Sequence, residues 1–315
     1  MAVESETLIQ QREINHRREI ASDRISHIVN SGQTGVFALV GPMGADKSNT
    51  VRATLGKIDA DATIYKLDGD TRNGTTGGQV WVRNGHPITG DVRPVGFGSG
   101  IDQVLTDVAS GQFRSGHVLT LVEAQFIAHG NNEKIEQLLR QARERGLTIV
   151  ADCLMSWFSA ELITETVSFA RGANTVFRMQ AWDDLNPAIP AEASLRLVGI
   201  TRDGEIIPPH QPDAVFLNSL SPQERLELVD SLFTAGIGEK LVMNNPDGSG
   251  IDYCYGLPSH PDDPHLAIGA DRYRTLSVDN FQRVYSASRI PLAAHDNTPL
   301  NGVNFFDWST VSSQS

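Results

Sequence analysis

The stretch VFALVGPMGADKS, at residues 36–48, decides the fold. Its first five residues are apolar, which is typical of a short strand buried on both faces of a sheet. A glycine-rich turn follows, and a helical pattern runs from Lys47 to about Ile58. Gly41, Lys47 and Ser48 have the spacing of G-x-x-x-x-G-K-[ST], in which backbone N–H groups and a helix N-terminus bind phosphates. The stretch therefore predicts a strand, a phosphate-binding loop and a helix.

Asp46 departs from this pattern, because it stands where the pattern has glycine. Glycine lets the loop backbone come close to the phosphates. A carboxylate about 4 Å from a phosphate charge would cost about 4 kcal/mol at an effective dielectric constant near 20. On the loop alone, the alternative is an ordinary turn at a helix start that has an aspartate in its first turn.

Four more apolar runs predict strands, with helical patterns between them. These runs are residues 63–67, 118–122, 147–151 and 175–179. Strands that alternate with helices indicate βαβ units, and so an α/β fold with a parallel sheet. Such a sheet binds ligands at the carboxyl ends of its strands. Outside this region, residues 5–30 predict an amphipathic helix, and residues 243–265, rich in Gly, Pro, Asp and Asn, predict a loop.

The composition excludes several classes of protein. A net charge of −12 over 315 residues argues against sequence-independent binding of nucleic acid or of an anionic membrane. Two distant cysteines, Cys153 and Cys254, cannot form a disulfide framework or a four-cysteine zinc site. There is no signal-peptide pattern and no apolar run as long as a membrane span. We therefore expect a soluble, cytoplasmic protein.

Five short motifs occur in an order that points to a known family. They are the loop at residues 41–48, Asp70-Thr71-Arg72, Glu123-Ala124-Gln125-Phe126, Leu154 with Phe158 and Glu161-Leu162, and Gly269-Ala270-Asp271-Arg272-Tyr273. Together they resemble the thymidine kinase family of the cellular (type II) kind, whose motifs read GPM-x-x-GK-[ST], DTR, DEAQF, GL-x-TDF-x-x-EL and GG-x-x-x-Y. The resemblance spans residues 36–285.

The resemblance implies a RecA-like P-loop core with a parallel sheet, a small lasso domain and a homo-oligomer, in the family often a tetramer. On this basis we divide the chain into four parts. They are an N-terminal helical extension at 1–34, the nucleotide-binding domain at 35–178, a lasso domain at 179–285 with an insertion at about 203–265, and a C-terminal tail at 286–315.

Catalytic roles follow from the resemblance. Glu123 would be the general base that takes the proton of the nucleoside 5′-hydroxyl. Lys47 and Arg72 would stabilise charge on the transferred phosphoryl group, and Ser48 would bind Mg²⁺. The ATP-binding residues would be Gly41, Pro42, Met43, Gly44, Ala45, Asp46, Lys47, Ser48 and Gln125. The substrate-binding residues would be Asp70, Phe126, Phe158 and Tyr273.

Two further departures concern metals. Val122 stands where the family has the aspartate of its metal shell, and a valine side chain cannot bind Mg²⁺. The positions that usually hold zinc in the family correspond here to Asp183, Asn186, Ser277 and Asn280, none of them a soft ligand. We therefore expect no zinc, and a small domain held by packing to which the insertion contributes.

These observations predict an ATP- and Mg²⁺-dependent phosphotransferase that converts thymidine to its monophosphate in nucleotide salvage for DNA synthesis. Asp46 and Val122 leave an alternative open, in which the chain is an impaired or inactive homologue that binds nucleotide or acts as a scaffold. A third interpretation is another kind of P-loop ATPase, which would bind ATP but no nucleoside.

Overall fold

The computed structural model describes residues 6–68, 80–81, 87–88, 90–156, 162–183, 188–191, 193–200, 206–207, 240–244, 251–257, 273–277, 279 and 298–310. The chain forms two compact units. The larger unit comprises residues 8–155, 162–180 and 296–315, and the smaller one comprises residues 1–7, 156–161 and 181–295. The domain boundaries expected from the sequence stay predictions.

The larger unit is a layered α/β structure. Its helices are α1 (Glu6–Asn30), α2 (Lys47–Leu55), α3 (Gly100–Ala109), α4 (Ala124–Ile127), α5 (Asn132–Glu144) and α6 (Thr164–Gly172). Its strands are β1 (Val36–Gly41), β2 (Ala62–Leu67), β3 (Val80–Trp81), β4 (Pro87–Ile88), β5 (Asp91–Val95), β6 (Val118–Leu121), β7 (Thr148–Leu154) and β8 (Thr175–Arg178).

Six of these strands form one parallel sheet in the order β5-β2-β6-β7-β1-β8. Strands β1 and β6 are buried along their whole length, as expected where helices cover both faces of a sheet. The α/β class and the parallel sheet predicted from the sequence are confirmed, and the RecA-like assignment stays a prediction. Strand β7 lies between β1 and β6. The carboxyl ends of these three parallel strands therefore lie next to one another, and the candidate site is formed there.

Strand β5 was not predicted, and its composition explains why. It reads Asp-Val-Arg-Pro-Val and is buried only at Val95. Proline cannot donate a ladder hydrogen bond and is therefore confined to edge strands, which is where β5 lies. Pairing with β2 forms this strand despite a polar sequence that has no apolar run.

A buried polar network ties β2 to α3. The Tyr65 hydroxyl donates to Asp107 Oδ2 at 2.8 Å, and Arg93 Nη1 donates to the same oxygen at 2.8 Å. Burial raises the pKa of the Asp107 carboxyl, but these hydrogen bonds outweigh it and hold the pKa below its usual value. The Asp107 carboxylate is therefore charged at neutral pH, and it links α3 to β2 through Tyr65 and to the edge strand β5 through Arg93.

Within the larger unit, helix α1 contacts the segment at residues 298–310. Helix α1 forms over Glu6–Asn30, where the sequence predicts a helix, and its Arg17 guanidinium lies 4.9 Å from the centre of the Trp308 ring. The Phe306 ring contacts that of Phe177 at 5.1 Å, and Phe306 N donates to Val176 O. Residues 298–310 thus cover the edge strand β8, which protects an otherwise unpaired strand edge.

The smaller unit is built of antiparallel strands in the residues that the structure describes. They are β9 (Ala181–Trp182), β10 (Pro190–Ala191), β11 (Ala193–Ile200), β12 (Ile206–Ile207), β13 (Lys240–Asn244), β14 (Ile251–Leu257) and β15 (Tyr273–Leu276). Strand β11 pairs with β12, β14 and β15, β14 pairs with β13, and β9 pairs with β10.

The prediction of a loop over residues 243–265 is wrong for the parts that lie in β13 and β14, Cys254 included. The sequence IDYCYGL of β14 is rich in aromatic and β-branched residues, and pairing with β11 and β13 outweighs the turn-forming residues around it. Because β12, β13 and β14 lie within the predicted insertion at about 203–265, the insertion contributes strands to the sheet of the smaller unit.

Within the described part of the chain, none of the helices combines the length and the hydropathy that a bilayer-spanning segment requires.

Candidate phosphate-binding site

The loop after β1 has the tight geometry of a phosphate-binding turn. A Cβ added at Gly41 would lie 2.5 Å from Met179 O, so only glycine fits between β1 and the end of β8. Gly44 has a φ of 76°, in the left-handed region that favours glycine. Helix α2 begins at Lys47 and points its N-terminal N–H groups back toward the loop, as an anion-binding loop requires.

Asp46 adopts the conformation that explains why the pattern has glycine there. Its φ of 60° and ψ of 21° lie in the left-handed region, which aspartate tolerates better than most residues. Its carboxylate accepts hydrogen bonds from Arg18 Nη1 of α1 at 2.9 Å and from Asn49 Nδ2 at 2.5 Å. A cation from the N-terminal helix thus pairs with this carboxylate, and the expected repulsion between Asp46 and a phosphate stays a prediction.

Lys47 lies inside the loop. Its side chain is only 7% exposed, and Nζ donates to Pro42 O at 2.7 Å. Burial lowers the pKa of Lys47, while the charges of Asp152 and Glu123 act in the opposite direction. A buried ammonium group beside two carboxylates is suited to receive the negative charge of a phosphate.

Ser48 has a partner that the sequence analysis missed. Its Oγ donates to Asp152 Oδ2 at 2.8 Å, although the two residues are 104 positions apart. Asp152 lies in β7, which is buried except at its end, and is itself 2% exposed. A single carboxylate within the apolar run Ile-Val-Ala-Asp-Cys-Leu was the signal that could have found it.

Glu123 follows β6 and precedes α4. Its φ of 54° lies in the left-handed region, and among the described residues other than glycine only Asp46 shares this. Left-handed backbone is costly for such residues and clusters at functional sites. The charge of Glu123 acts on Lys47, so the predicted base and the loop lysine lie close enough to interact electrostatically.

The helix after Glu123 carries the remaining predicted residues of this motif. Gln125 is fully buried, and its Oε1 accepts a hydrogen bond from Leu154 N at 3.1 Å, which ties α4 to the end of β7. Phe126 is buried and stacks on Phe97 with ring centres 5.9 Å apart. Phe97 is 37% exposed, so it presents an aromatic ring to solvent. The predicted contacts of Gln125 with ATP and of Phe126 with the nucleoside stay predictions.

Several predicted residues fall outside the described part of the chain. These are Asp70, Arg72, Phe158, Asn186 and Asn280. Tyr273 is the first residue of β15 and pairs with Arg196 of β11. The rest of its motif, residues 269–272, is likewise not described.

The positions that correspond to metal ligands in the resembled family are Val122 in the larger unit and, among the described residues, Asp183 and Ser277 in the smaller unit. Val122 is 4% exposed at the end of β6 and offers only its backbone, with N donating to Tyr65 O at 3.0 Å. In the smaller unit, Ser277 N donates to Asp183 Oδ2 at 2.6 Å, so a buried hydrogen bond joins two positions that hold zinc in the family. No group of three or more His, Cys, Asp or Glu side chains arranged to bind a metal occurs among the described residues.

No protein-family model matches the chain, and no curated protein gives a significant sequence match. Two solved structures of Thermomonospora curvata EccC are similar. One comprises ATPases 2 and 3 in complex with a signal sequence peptide (16% identity, 44% of this chain, 29% of that chain, TM-score 0.25). The other is the cytoplasmic domain of this type VII secretion ATPase (14% identity, 72% of this chain, 24% of that chain, TM-score 0.28).

A structure of Drosophila ORC bound to AT-rich DNA and Cdc6 is also similar, at 12% identity and a TM-score of 0.28, with 85% of this chain and 97% of that chain covered. This chain covers less than a third of the length of each of the two EccC structures. At TM-scores this low, none of the three likenesses carries an argument about fold or function, and they assign the chain to no family.

Proposed function

We propose that the protein is an ATP- and Mg²⁺-dependent phosphotransferase that acts on the 5′-hydroxyl of thymidine or a related deoxynucleoside in the cytoplasm. One observation carries the proposal: the loop lysine Lys47 is buried, its Nζ donates to Pro42 O of the loop, and it interacts with the charge of Glu123. Phosphoryl transfer depends mainly on positioning and electrostatic stabilisation. A lysine and a general base held at the carboxyl ends of neighbouring strands are groups that this reaction requires.

Each residue has a defined task in this reaction. The N–H groups at the start of α2 and Lys47 Nζ bind the ATP phosphates and offset the charge that develops on the transferred group. Glu123 accepts the proton of the attacking hydroxyl. Mg²⁺, when bound through Ser48, neutralises charge on the β- and γ-phosphates. Arg72 would add a bidentate donor to the phosphoryl oxygens.

Two aromatic rings, those of Phe97 and Phe126, support a nucleoside as the phosphate acceptor. Phe126 lies three residues after Glu123, and its ring stacks on the partly exposed ring of Phe97. Exposed aromatic faces stack on nucleobases without hydrogen-bond readout. Thymidine itself rests on the resemblance of the five motifs, as does a homo-oligomeric state.

Radiolabelled ATP, thymidine and Mg²⁺ test the proposal, with Glu123→Gln beside the wild type. Loss of the base should lower transfer at least about 100-fold while ATP still binds. Glu133→Gln, which removes an exposed carboxylate of α5, is the matched control and should transfer at the wild-type rate. A folded wild type that forms no thymidine monophosphate would overturn the proposal.

Val122 favours a second candidate, a protein that binds nucleotide without transferring phosphate. The side chain at the end of β6 is buried and apolar where the family has a metal-binding carboxylate. This candidate predicts ATP binding by calorimetry with no transfer to any nucleoside. The same assay therefore distinguishes the two functions.

A further inference from the structure

We propose that Asp152 of β7 supplies the carboxylate that holds the Mg²⁺ of the bound nucleotide together with Ser48. This inference rests on the proposed nucleotide binding and assigns the metal a ligand that the motif around Val122 does not provide. The carboxylate thus comes from the strand between β6 and β1 instead of from the end of β6.

Strand register brings Asp152 to the phosphate loop. In the parallel pair β1 and β7, Asp152 lies opposite Leu39, two residues before the start of the loop at Gly41. Its Oδ2 accepts the hydrogen bond of Ser48 Oγ at 2.8 Å. The hydroxyl predicted to bind Mg²⁺ and a carboxylate oxygen are therefore in direct contact.

The burial of Asp152 argues for a function beyond packing. The side chain is 2% exposed in an otherwise apolar strand, and a buried carboxylate carries a large desolvation penalty unless it is paired. The charge of Asp152 acts on Lys47, which is itself buried. An apolar residue would fill this position of β7 without that penalty, so the carboxylate is expected to serve the site.

The donor set suits Mg²⁺. The ion prefers hard oxygen ligands, keeps several waters, and is usually held by one or two carboxylates together with substrate phosphates. A serine hydroxyl and an aspartate carboxylate beside a phosphate loop fit this description. A cluster of three protein carboxylates is not needed, because the nucleotide and water complete the coordination.

A purely structural role for Asp152 makes a different prediction. If the carboxylate only orients Ser48 and Lys47, its loss weakens ATP binding equally with Mg²⁺ and with EDTA. If it holds the metal, its loss removes the enhancement that Mg²⁺ gives and changes metal-free binding little. Calorimetric titration of ATP under both conditions separates the two roles without a measurement of activity.

Asp152→Asn is the test variant, because the amide has the same size and can still accept from Ser48. We expect the ratio of ATP affinities with and without Mg²⁺ to fall at least about tenfold relative to the wild type. Asp102→Asn, which removes an exposed carboxylate of α3, is the matched control and should keep the wild-type ratio. Val122→Asp in the Asp152→Asn background should restore part of the ratio, since it returns a carboxylate to the same sheet edge.

A second measurement uses the wild-type protein, with a variant of the loop only as its control. In wild-type protein with ¹³C-labelled aspartate carboxyl groups, Mn²⁺ bound with ADP should show hyperfine coupling to a protein carboxyl carbon. The coupling should persist in Asp46→Gly, which removes the aspartate of the loop itself.

The outcomes separate this inference from the proposed function. An unchanged Mg²⁺ enhancement in Asp152→Asn, or no ¹³C coupling, overturns the inference and leaves phosphotransfer possible. Loss of the enhancement in Asp152→Asn, with a wild type that transfers nothing to thymidine, supports the inference and overturns the proposed reaction. A folded wild type that binds no nucleotide overturns both.

Discussion

The pairing of Arg18 with Asp46 gives the sharpest prediction about nucleotide binding. Arg18→Gln removes the cation of α1 that pairs with the loop carboxylate and leaves a shorter, uncharged polar side chain. Asp46 then faces an incoming phosphate as an uncompensated negative charge. We expect ATP to bind more weakly, with little change in the fold, because a single, partly exposed ion pair contributes at most about 1 kcal/mol to stability.

The magnitude follows from Coulomb's law. At an effective dielectric constant of about 20, two like charges separated by about 4–8 Å repel by about 4–2 kcal/mol. The Asp46 side chain is 13% exposed, so water screens part of this and the lower figure applies. About 2 kcal/mol corresponds to a roughly 30-fold loss of ATP affinity.

Calorimetric titration of ATP with Mg²⁺ checks this prediction as a double-mutant cycle. Asp46→Gly alone should bind ATP at least as tightly as the wild type, because it removes the carboxylate and relieves left-handed strain. In that background Arg18→Gln should have little effect. Arg24→Gln, an exposed arginine of the same helix, is the control for net charge and should bind as the wild type does.

Two results would refute the reasoning. One is an Arg18→Gln protein whose ATP affinity stays within about twofold of the wild type, which would mean that Asp46 does not act on the phosphates. The other is an equal loss in the Asp46→Gly background, which would mean that Arg18 contacts the nucleotide directly and does not act through the carboxylate.

Two further predictions concern stability. Asp183→Ala leaves the buried Ser277 N–H without its acceptor, so the smaller unit should lose about 1–3 kcal/mol and melt earlier in calorimetry; an unchanged profile would show that this hydrogen bond does not hold the unit together. Asp107→Asn should lower the free energy of unfolding by about 1.5–3 kcal/mol at neutral pH. Because the folded-state pKa of Asp107 is lowered, this contribution is present above the ordinary carboxyl pKa near 4 and disappears as pH falls through the folded value. Urea unfolding should therefore show a smaller difference at about pH 3, and an equal difference at both pH values would contradict the assigned charge state.

The sequence by itself determined the architecture of the larger unit. A buried parallel strand needs apolar residues on both faces, and β1, β6 and β7 accordingly consist mainly of apolar residues. The loop spacing likewise predicted the turn and the helix after β1, because a tight turn into a helix requires Gly41 and puts Lys47 at the helix start. These are local requirements, which a chain must meet within a few residues.

Tertiary structure alone decided what accompanies the loop. Asp152 meets Ser48 only because β7 pairs with β1 in one register, and Arg18 meets Asp46 only because α1 packs beside the loop. Strands β13 and β14 also form through pairing, against turn-rich local sequence. Such contacts join residues far apart in the chain, and their partners carry no periodicity of their own. Only the folded chain therefore supplies both the carboxylate proposed to hold Mg²⁺ and the cation paired with Asp46.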